Sequence, residues 1–182
     1  MSATRYFVGL GSNLGDRLST LRRALAELAA LPSSHTVEAS SAWETHPVGP
    51  GTGPFLNAIA ELHSSLDAPA LLAELLTIER RHGRLRRERW GDRTLDLDIL
   101  LAKQNGVCVR VSSPKLELPH PRMLGRDFVL APLAELAPTL DLDGRSCTQR
   151  LGALPVGERT IIRRLDEQLW APRSAKLARP GG

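Results

Sequence analysis

The chain has 182 residues, of which 42% are hydrophobic, 24% charged and 4% aromatic, with a formal charge of +4. This suits one globular domain with a real core and leaves little room for a second. No run approaches the roughly 18 apolar residues of a membrane helix, the opening MSATRYFVGLGSN lacks the shape of a signal peptide, and Cys108 and Cys147 stand outside any CxxC or Cys/His cluster. Two reduced thiols in a cytoplasmic protein are expected.

In chain order, Arg5 to Leu10 reads as a short apolar strand, and Gly11 to Asp16 supplies turn residues with Asp16 placed to cap a helix. Apolar residues at 18, 21, 25, 28 and 31 then recur with a helical period, up to Pro32. Thr36 to Trp43 reads as a second strand, and His46 to Pro54, rich in Pro and Gly, as a loop. Phe55 to Leu66 is a third strand, Ala68 to His82 a second amphipathic helix closed by Gly83, and Leu95 to Ala102 a fourth strand. A β-α-β-β-α-β order is the pattern of a ferredoxin-like α+β sandwich, an antiparallel sheet backed by helices. An edge hairpin around Val107 to Val111 and a helix at Phe128 to Leu136 come after it. Residues 1–170 are read as one domain, and the small, basic tail from Ala171 to Gly182 as disordered.

All but three of the 24 basic residues are arginine, and seven of them fall between Arg80 and Arg93. A patch of that density wants an anionic partner, nucleotide or nucleic acid. It runs directly into RTLDLDIL. In a strand, Asp96 and Asp98 share a face while Leu97 and Ile99 turn into the core. Their Cα atoms lie ~7 Å apart, near enough to hold one or two hard cations. The plain alternative is a half-buried strand with two aspartates facing water. Asp is disfavoured in strands, however, and two on one face repel unless something positive stands between them. Arginine forks beside metal-binding carboxylates make a receptor for a nucleoside triphosphate, and Trp90 within that charged segment argues against a merely solvated connector. Phe55 and Asn57 also share a strand face. They offer an aromatic plane beside an amide that donates and accepts, which suits a flat heterocycle as well as an ordinary core. A lone His120 between two prolines is most often structural.

Assembled in order, LGSNLGDR, ETHPVG, FLNA, IExxxGRxR, RWGxRTLDLDIL, LPHPRM and RxFVLxPL resemble one family, the hydroxymethyldihydropterin pyrophosphokinases. The resemblance runs from about Phe7 to Leu136. It implies transfer of the diphosphate of ATP to the hydroxymethyl oxygen of 6-hydroxymethyl-7,8-dihydropterin, a step of folate biosynthesis that releases AMP. Such a transfer asks for positioning and charge neutralisation more than covalent work by the protein. By the same resemblance, Asp96 and Asp98 bind two magnesium ions, and Arg84 and Arg93 meet the transferring phosphates as catalytic residues. Glu79, Arg86, Arg89, Trp90, Ile99, Lys115, His120 and Arg126 line the nucleotide site. Asn57 reads the pterin edge, Phe55 and Phe128 sandwich its ring, and Thr45 and Val48 complete that side. The implied partners are small molecules, with no nucleic acid or membrane, and the implied state is a monomer.

The chain departs from the family pattern at Leu76, Lys115, Glu117, Pro121 and above all Asp92, where the signature usually carries Pro. Loss of that Pro is expected to loosen the segment. The new carboxylate is expected to hold Arg93 away from phosphate. Two rivals stand beside this reading. One is an RNA-recognition module of the same architecture, disfavoured by the scarcity of aromatics and by aspartates on the fourth strand; the other is a pterin- or nucleotide-binding protein without turnover.

Overall fold

The computed structural model describes residues 3–49, 51–83 and 92–170. Strand β1 (Thr4–Ser12) leads into helix α1 (Arg17–Ala29), whose start is capped by Asp16 accepting the Ser19 N–H at 3.0 Å. Strands β2 (Ser34–Ala39), β3 (Trp43–Thr45) and β4 (Phe55–Ser64) follow, then helix α2 (Ala68–Arg81), capped by Asp67, and strand β5 (Asp96–Gln104). Short strands β6 (Val107–Cys108), β7 (Val111–Ser112) and β8 (Glu117–Leu118) come next, with helices α3 (Asp127–Leu136) and α4 (Cys147–Gly152) and a last strand β9 (Ile161–Arg164). The sheet order is β6-β5-β1-β4-β3-β9, with β2 also pairing β4, and the pairings are antiparallel. The strands expected from the sequence thus take the ferredoxin-like arrangement.

Two cores form because the sheet is covered on both faces. Tyr6, Val8 and Leu10 of β1 turn toward the leucines of α1 and α2. Phe7 and Ile59 turn the other way, onto Leu130 and Leu133 of α3 and Cys147 of α4. Both cysteines are free thiols. Between Phe7 and Val8 the β1–β5 register slips, so Leu100 and Leu101 both fall on the α3 face. A bulge of this kind redirects the side chains on one side of it. It sets Asp96, Asp98 and Leu100 on the α3 face at one end of β5 and returns Ala102 to the other core.

Two expectations need correction. The segment Thr36 to Trp43 is two strands, because Ser40 interrupts the ladder: its hydroxyl accepts the Ile59 N–H at 2.9 Å. Glu135 of α3 then takes the Ser41 N–H, the Ser41 hydroxyl and the Trp43 indole N–H, holding the chain out of a continuous strand. The hairpin placed at Val107 to Val111 is instead two pairings, β5 with β6 and β7 with β8. The first turns through Asn105 and Gly106, both at positive φ. Helix α4 and strand β9 were not anticipated. Strand β9 is short and lacks period-two alternation, so its own residues do not announce it.

Asp127 explains why β9 is there. It is 1% exposed and accepts four hydrogen bonds: from the Thr160 N–H (2.6 Å) and hydroxyl (2.6 Å), the Ile161 N–H (2.9 Å) and the Phe128 N–H (2.8 Å). One carboxylate thereby takes a first-turn N–H of α3 and anchors the strand that extends the sheet beyond β3. Asp127→Ala leaves three donors of the 160–161 segment without their acceptor. It is expected to cost about 2–4 kcal/mol, the scale for unpairing buried partners of a charged group. Urea unfolding measures this, and a loss under about 1 kcal/mol would show that β9 is held by something else.

Candidate active site

The site follows from alternation on three neighbouring strands. Gly9 and Gly11 of β1 pair with Ile59 and Asn57 of β4 on one side and with Asp98 and Asp96 of β5 on the other. Side chains two apart share a face, so Asn57 and Ile59 lie across two glycines from the two aspartates. Gly11 leaves the floor between them open. A Cβ there would stand 3.3 Å from Asn57 Oδ1, and one on Gly9 would stand 3.3 Å from Leu100 Cδ1.

Above this floor is a cleft of about 120 Å³, open to solvent. Nine of the expected residues line it: Thr45, Val48, Phe55, Asn57, Arg93, Asp96, Asp98, Arg126 and Phe128. They come from β3, the loop after it, β4, β5, the approach to β5 and the start of α3. The Asn57 amide donates to the Thr45 hydroxyl at 2.8 Å, which fixes the amide's orientation. Val48 is 50% exposed at the rim. The Arg126 guanidinium lies over the Phe128 ring, 5.4 Å from its centroid.

Charge is arranged in opposition. Arg93 pairs with Asp96 through Nη1 and Oδ2. Burial lowers the Arg126 pKa and neighbouring Arg122 adds to this, while Asp98 and Asp96 act the other way. The two carboxylates therefore face guanidinium groups across the cleft, which removes the repulsion that paired aspartates would otherwise suffer.

Four expected residues do not line the cleft. Glu79 is 2% exposed on α2, and its Oε1 accepts the Leu97 N–H at 2.7 Å. Its visible work is to hold β5 between the two aspartates. Ile99 is buried in the α1/α2 core, as strand alternation required. Lys115 is exposed in the turn between β7 and β8. His120 is half-buried beside the β5 edge, where its backbone N–H donates to the Leu100 carbonyl at 2.8 Å. Arg84, Arg86, Arg89 and Trp90 lie outside the described residues. Among the lining groups that sequence reasoning missed are Gly9, Gly11, His46, Ile59, Leu100 and Val129. Counting by two from Asn57 across the register would have found the glycines, but the register is known only after folding.

Asp92 also behaves differently from expectation. Its carboxylate pairs with Thr52 and Asn13 and leaves Arg93 to Asp96.

Burial, with Arg126 and Arg122 nearby, pushes the His120 imidazole down to about 4. Its Nδ1 accepts the Arg122 N–H at 3.2 Å, so the remaining ring proton sits on Nε2. The folded protein thus holds this ring neutral, and below the unfolded value of about 6.5 the unfolded chain binds the extra proton. Stability through this group is complete above about 6.5 and falls as pH drops toward 4. The His120 ring resonances should stay flat from pH 8 to about 5.5 by NMR. A midpoint above 6 would contradict the neutral ring.

Residues 7–138 match the family model for 7,8-dihydro-6-hydroxymethylpterin-pyrophosphokinase. Proteins named 2-amino-4-hydroxy-6-hydroxymethyldihydropteridine pyrophosphokinase are similar over most of the chain. That of Pseudomonas aeruginosa is 42% identical over 153 residues, covering 83% of this chain and 92% of the relative. That of Bacillus subtilis is 42% identical over 141 residues, covering 77% and 82%. The match to the Synechocystis protein, 42% identical over 131 residues and 72% of this chain, spans 65% of that relative's length. Among solved structures, an HPPK-DHPS in complex with substrates superposes with a TM-score of 0.65 at 11% identity, over 84% of this chain and 43% of the other. The wild-type HPPK-DHPS of Plasmodium falciparum gives 0.60 at 11%, over 82% and 41%. At that identity these two speak for the fold alone. The chain belongs to the 7,8-dihydro-6-hydroxymethylpterin-pyrophosphokinase family.

Proposed function

We propose that this protein transfers the diphosphate of ATP to the hydroxymethyl group of 6-hydroxymethyl-7,8-dihydropterin, releasing AMP, in folate biosynthesis. Family membership carries the reaction. The cleft supports its assignment, because an aromatic-and-amide half stands across two glycines from a carboxylate-and-guanidinium half.

On the first half, Phe55 and Phe128 take the faces of the pterin ring, and Asn57, already oriented by Thr45, reads its hydrogen-bonding edge. Val48 and His46 close the rim, while Ile59, Leu100 and Val129 keep water from the ring. On the second half, Arg93 and Arg126 supply fixed positive charge for the polyphosphate. Glu79 acts through Leu97, as a positioning residue for β5. Arg84, Arg86, Arg89 and Trp90 keep their proposed place at the nucleotide on family grounds, as do Ile99, Lys115 and His120.

Asp96 and Asp98 offer hard oxygen donors on one face, beside an open cleft, and so fit magnesium, whose other ligands would be phosphate oxygens and water. Among the described residues no cluster of three or more His, Cys, Asp or Glu completes an all-protein cage, which suits an ion brought with its nucleotide. Two such ions are proposed. Bound there, magnesium would neutralise the phosphate charge and polarise the atom under attack. A cation held by Asp96 would compete with Arg93 for that carboxylate, which would leave the Arg93 fork available to phosphate. The transfer then needs the hydroxymethyl oxygen in line with the β-phosphorus: the new O–P bond forms as the bond from the β-phosphorus to the AMP oxygen breaks, AMP leaves with that bonding pair, and the hydroxyl proton passes to water. Holding both substrates in one cleft supplies that alignment.

A monomeric, cytoplasmic enzyme of a single domain over 1–170 completes the proposal. Both cores are built on one sheet, and among the described residues no helix is long and apolar enough to cross a membrane. The 171–182 tail, proposed to be disordered, lies outside the described residues.

The reaction is tested with purified protein, ATP, magnesium and the pterin. AMP and pterin diphosphate are expected in equal amounts, and only when all three are present. ADP would mean a simple phosphoryl transfer, and no nucleotide product would favour a binding protein. Asp96→Ala and Asp98→Ala should each lower turnover by about 10²-fold or more with the fold intact by circular dichroism, since each removes a charged ligand. Near-normal turnover in either variant would remove that aspartate from the metal site.

A further inference from the structure

Asp92 joins three segments: the end of β1, the loop between β3 and β4, and the approach to β5. Its Oδ1 accepts the Asn13 side-chain N–H at 2.6 Å and the Thr52 backbone N–H at 2.9 Å, and its Oδ2 accepts the Thr52 hydroxyl at 2.6 Å. Asn13, just past β1, turns its other side-chain atom to the same segment: its Oδ1 accepts the Arg93 N–H at 2.7 Å, and its own N–H donates to the Arg93 carbonyl at 3.1 Å. The loop between β3 and β4 is thereby tied through Thr52 to the residue before Arg93. Gly51 shows how closely that loop settles. A Cβ there would stand 3.1 Å from Pro47 Cβ and 3.5 Å from both Asp92 Oδ1 and Phe55 Cε2. The loop therefore rests on the edge of Phe55, with Asp92 against its other side.

We infer that Asp92 is a positioning residue, a polar clip that fixes the wall carrying Val48 and Phe55 against the wall carrying Arg93 and Asp96. The inference rests on the cleft assignment above. The clip sets the pterin half of the cleft relative to the phosphate half before either substrate arrives. A charged acceptor meeting three donors is well suited to this, because each bond is stronger than a neutral one and all three share one side chain. The same donors hold the Asp92 carboxyl below the ordinary carboxylate range, so the acceptor stays ionised well into mildly acidic solution.

This reverses what the residue type suggested. A proline at 92 would restrict the backbone but remove the acceptor. Here the stiffness comes from the side chain, so Asp92→Pro is expected to weaken pterin binding.

The test uses Asp92→Ala, Thr52→Val and Thr52→Ser, with pterin affinity measured by calorimetry beside a non-hydrolysable ATP analogue. Thr52 is exposed, so its variants do not threaten the fold. Asp92→Ala should weaken pterin binding about 5- to 10-fold and Thr52→Val about 2- to 5-fold, the scale of one or two hydrogen bonds to a charged group at a partly solvated site. Thr52→Ser keeps the hydroxyl and should stay within about two-fold of wild type, which a merely steric role for Thr52 would not predict. KM for pterin should rise more than kcat falls, and the double variant should bind no worse than Asp92→Ala alone, because both changes break one clip. Amide hydrogen exchange over residues 51–53 should quicken in Asp92→Ala and Thr52→Val without any ligand present. Unaltered exchange with wild-type pterin affinity in both variants overturns the clip while leaving the cleft assignment standing, as do effects that multiply independently. Wild-type protein that binds no pterin overturns the cleft assignment and the inference with it.

Discussion

Everything at the cleft depends on β1 lying between β4 and β5 in one fixed register. In an antiparallel sheet a one-residue slip turns every side chain to the opposite face. Such a slip here would send the aspartates of β5 into the α1/α2 core and bring Leu97 to the cleft. Two features oppose it. Tyr6, Val8 and Leu10 are buried in that core and could not be exposed without large cost, and the Glu79 carboxylate grips the Leu97 N–H from the helix side. With register fixed, Gly9 and Gly11 become the floor of the cleft because they alone in the middle strand contribute no side chain to that face beyond Phe7. The chemistry on either side is thus spaced by two missing side chains.

Electrostatics then decides what the cleft can accept. Asp96 and Asp98 share the cleft with Arg93 and Arg126, with Arg93 paired to Asp96, so carboxylates and guanidinium groups stand together on one face. His120, held neutral by burial and nearby arginines, adds no positive charge to that set.

The part of the chain beyond the family-matched segment also belongs to this architecture. Strand β9 pairs with β3, the Thr160 carbonyl accepts the His46 N–H at 2.8 Å, and Arg163 joins Arg17 on the buried Glu44. These contacts support the strand that carries Thr45, which in turn orients Asn57. Asp127 links the same segment to the start of α3, next to Phe128. The edge of the sheet and the rim of the cleft are therefore braced by residues whose local sequence gives no hint of that task.

What could be read from the residues alone was whatever depends on local period and local chemistry. Alternation placed Asp96 with Asp98 and Phe55 with Asn57, caps marked α1 and α2, and the order of elements pointed to the sandwich. Ordered motifs then tied these to a family, and nine of the expected site residues do meet in one cleft. Three kinds of feature were decided only by the tertiary structure. The break of the second strand at Ser40 depends on Glu135, nearly a hundred residues away. Strand β9 exists because a buried carboxylate on another element offers an acceptor. Asp92, read locally, was a lost proline beside an arginine. Folded, it accepts from Asn13 and Thr52, 79 and 40 residues distant in the chain, and stiffens what it was expected to loosen. A side chain's hydrogen-bonding capacity is written in its residue type, but which donor reaches it first is set by chain segments that only the completed fold brings together.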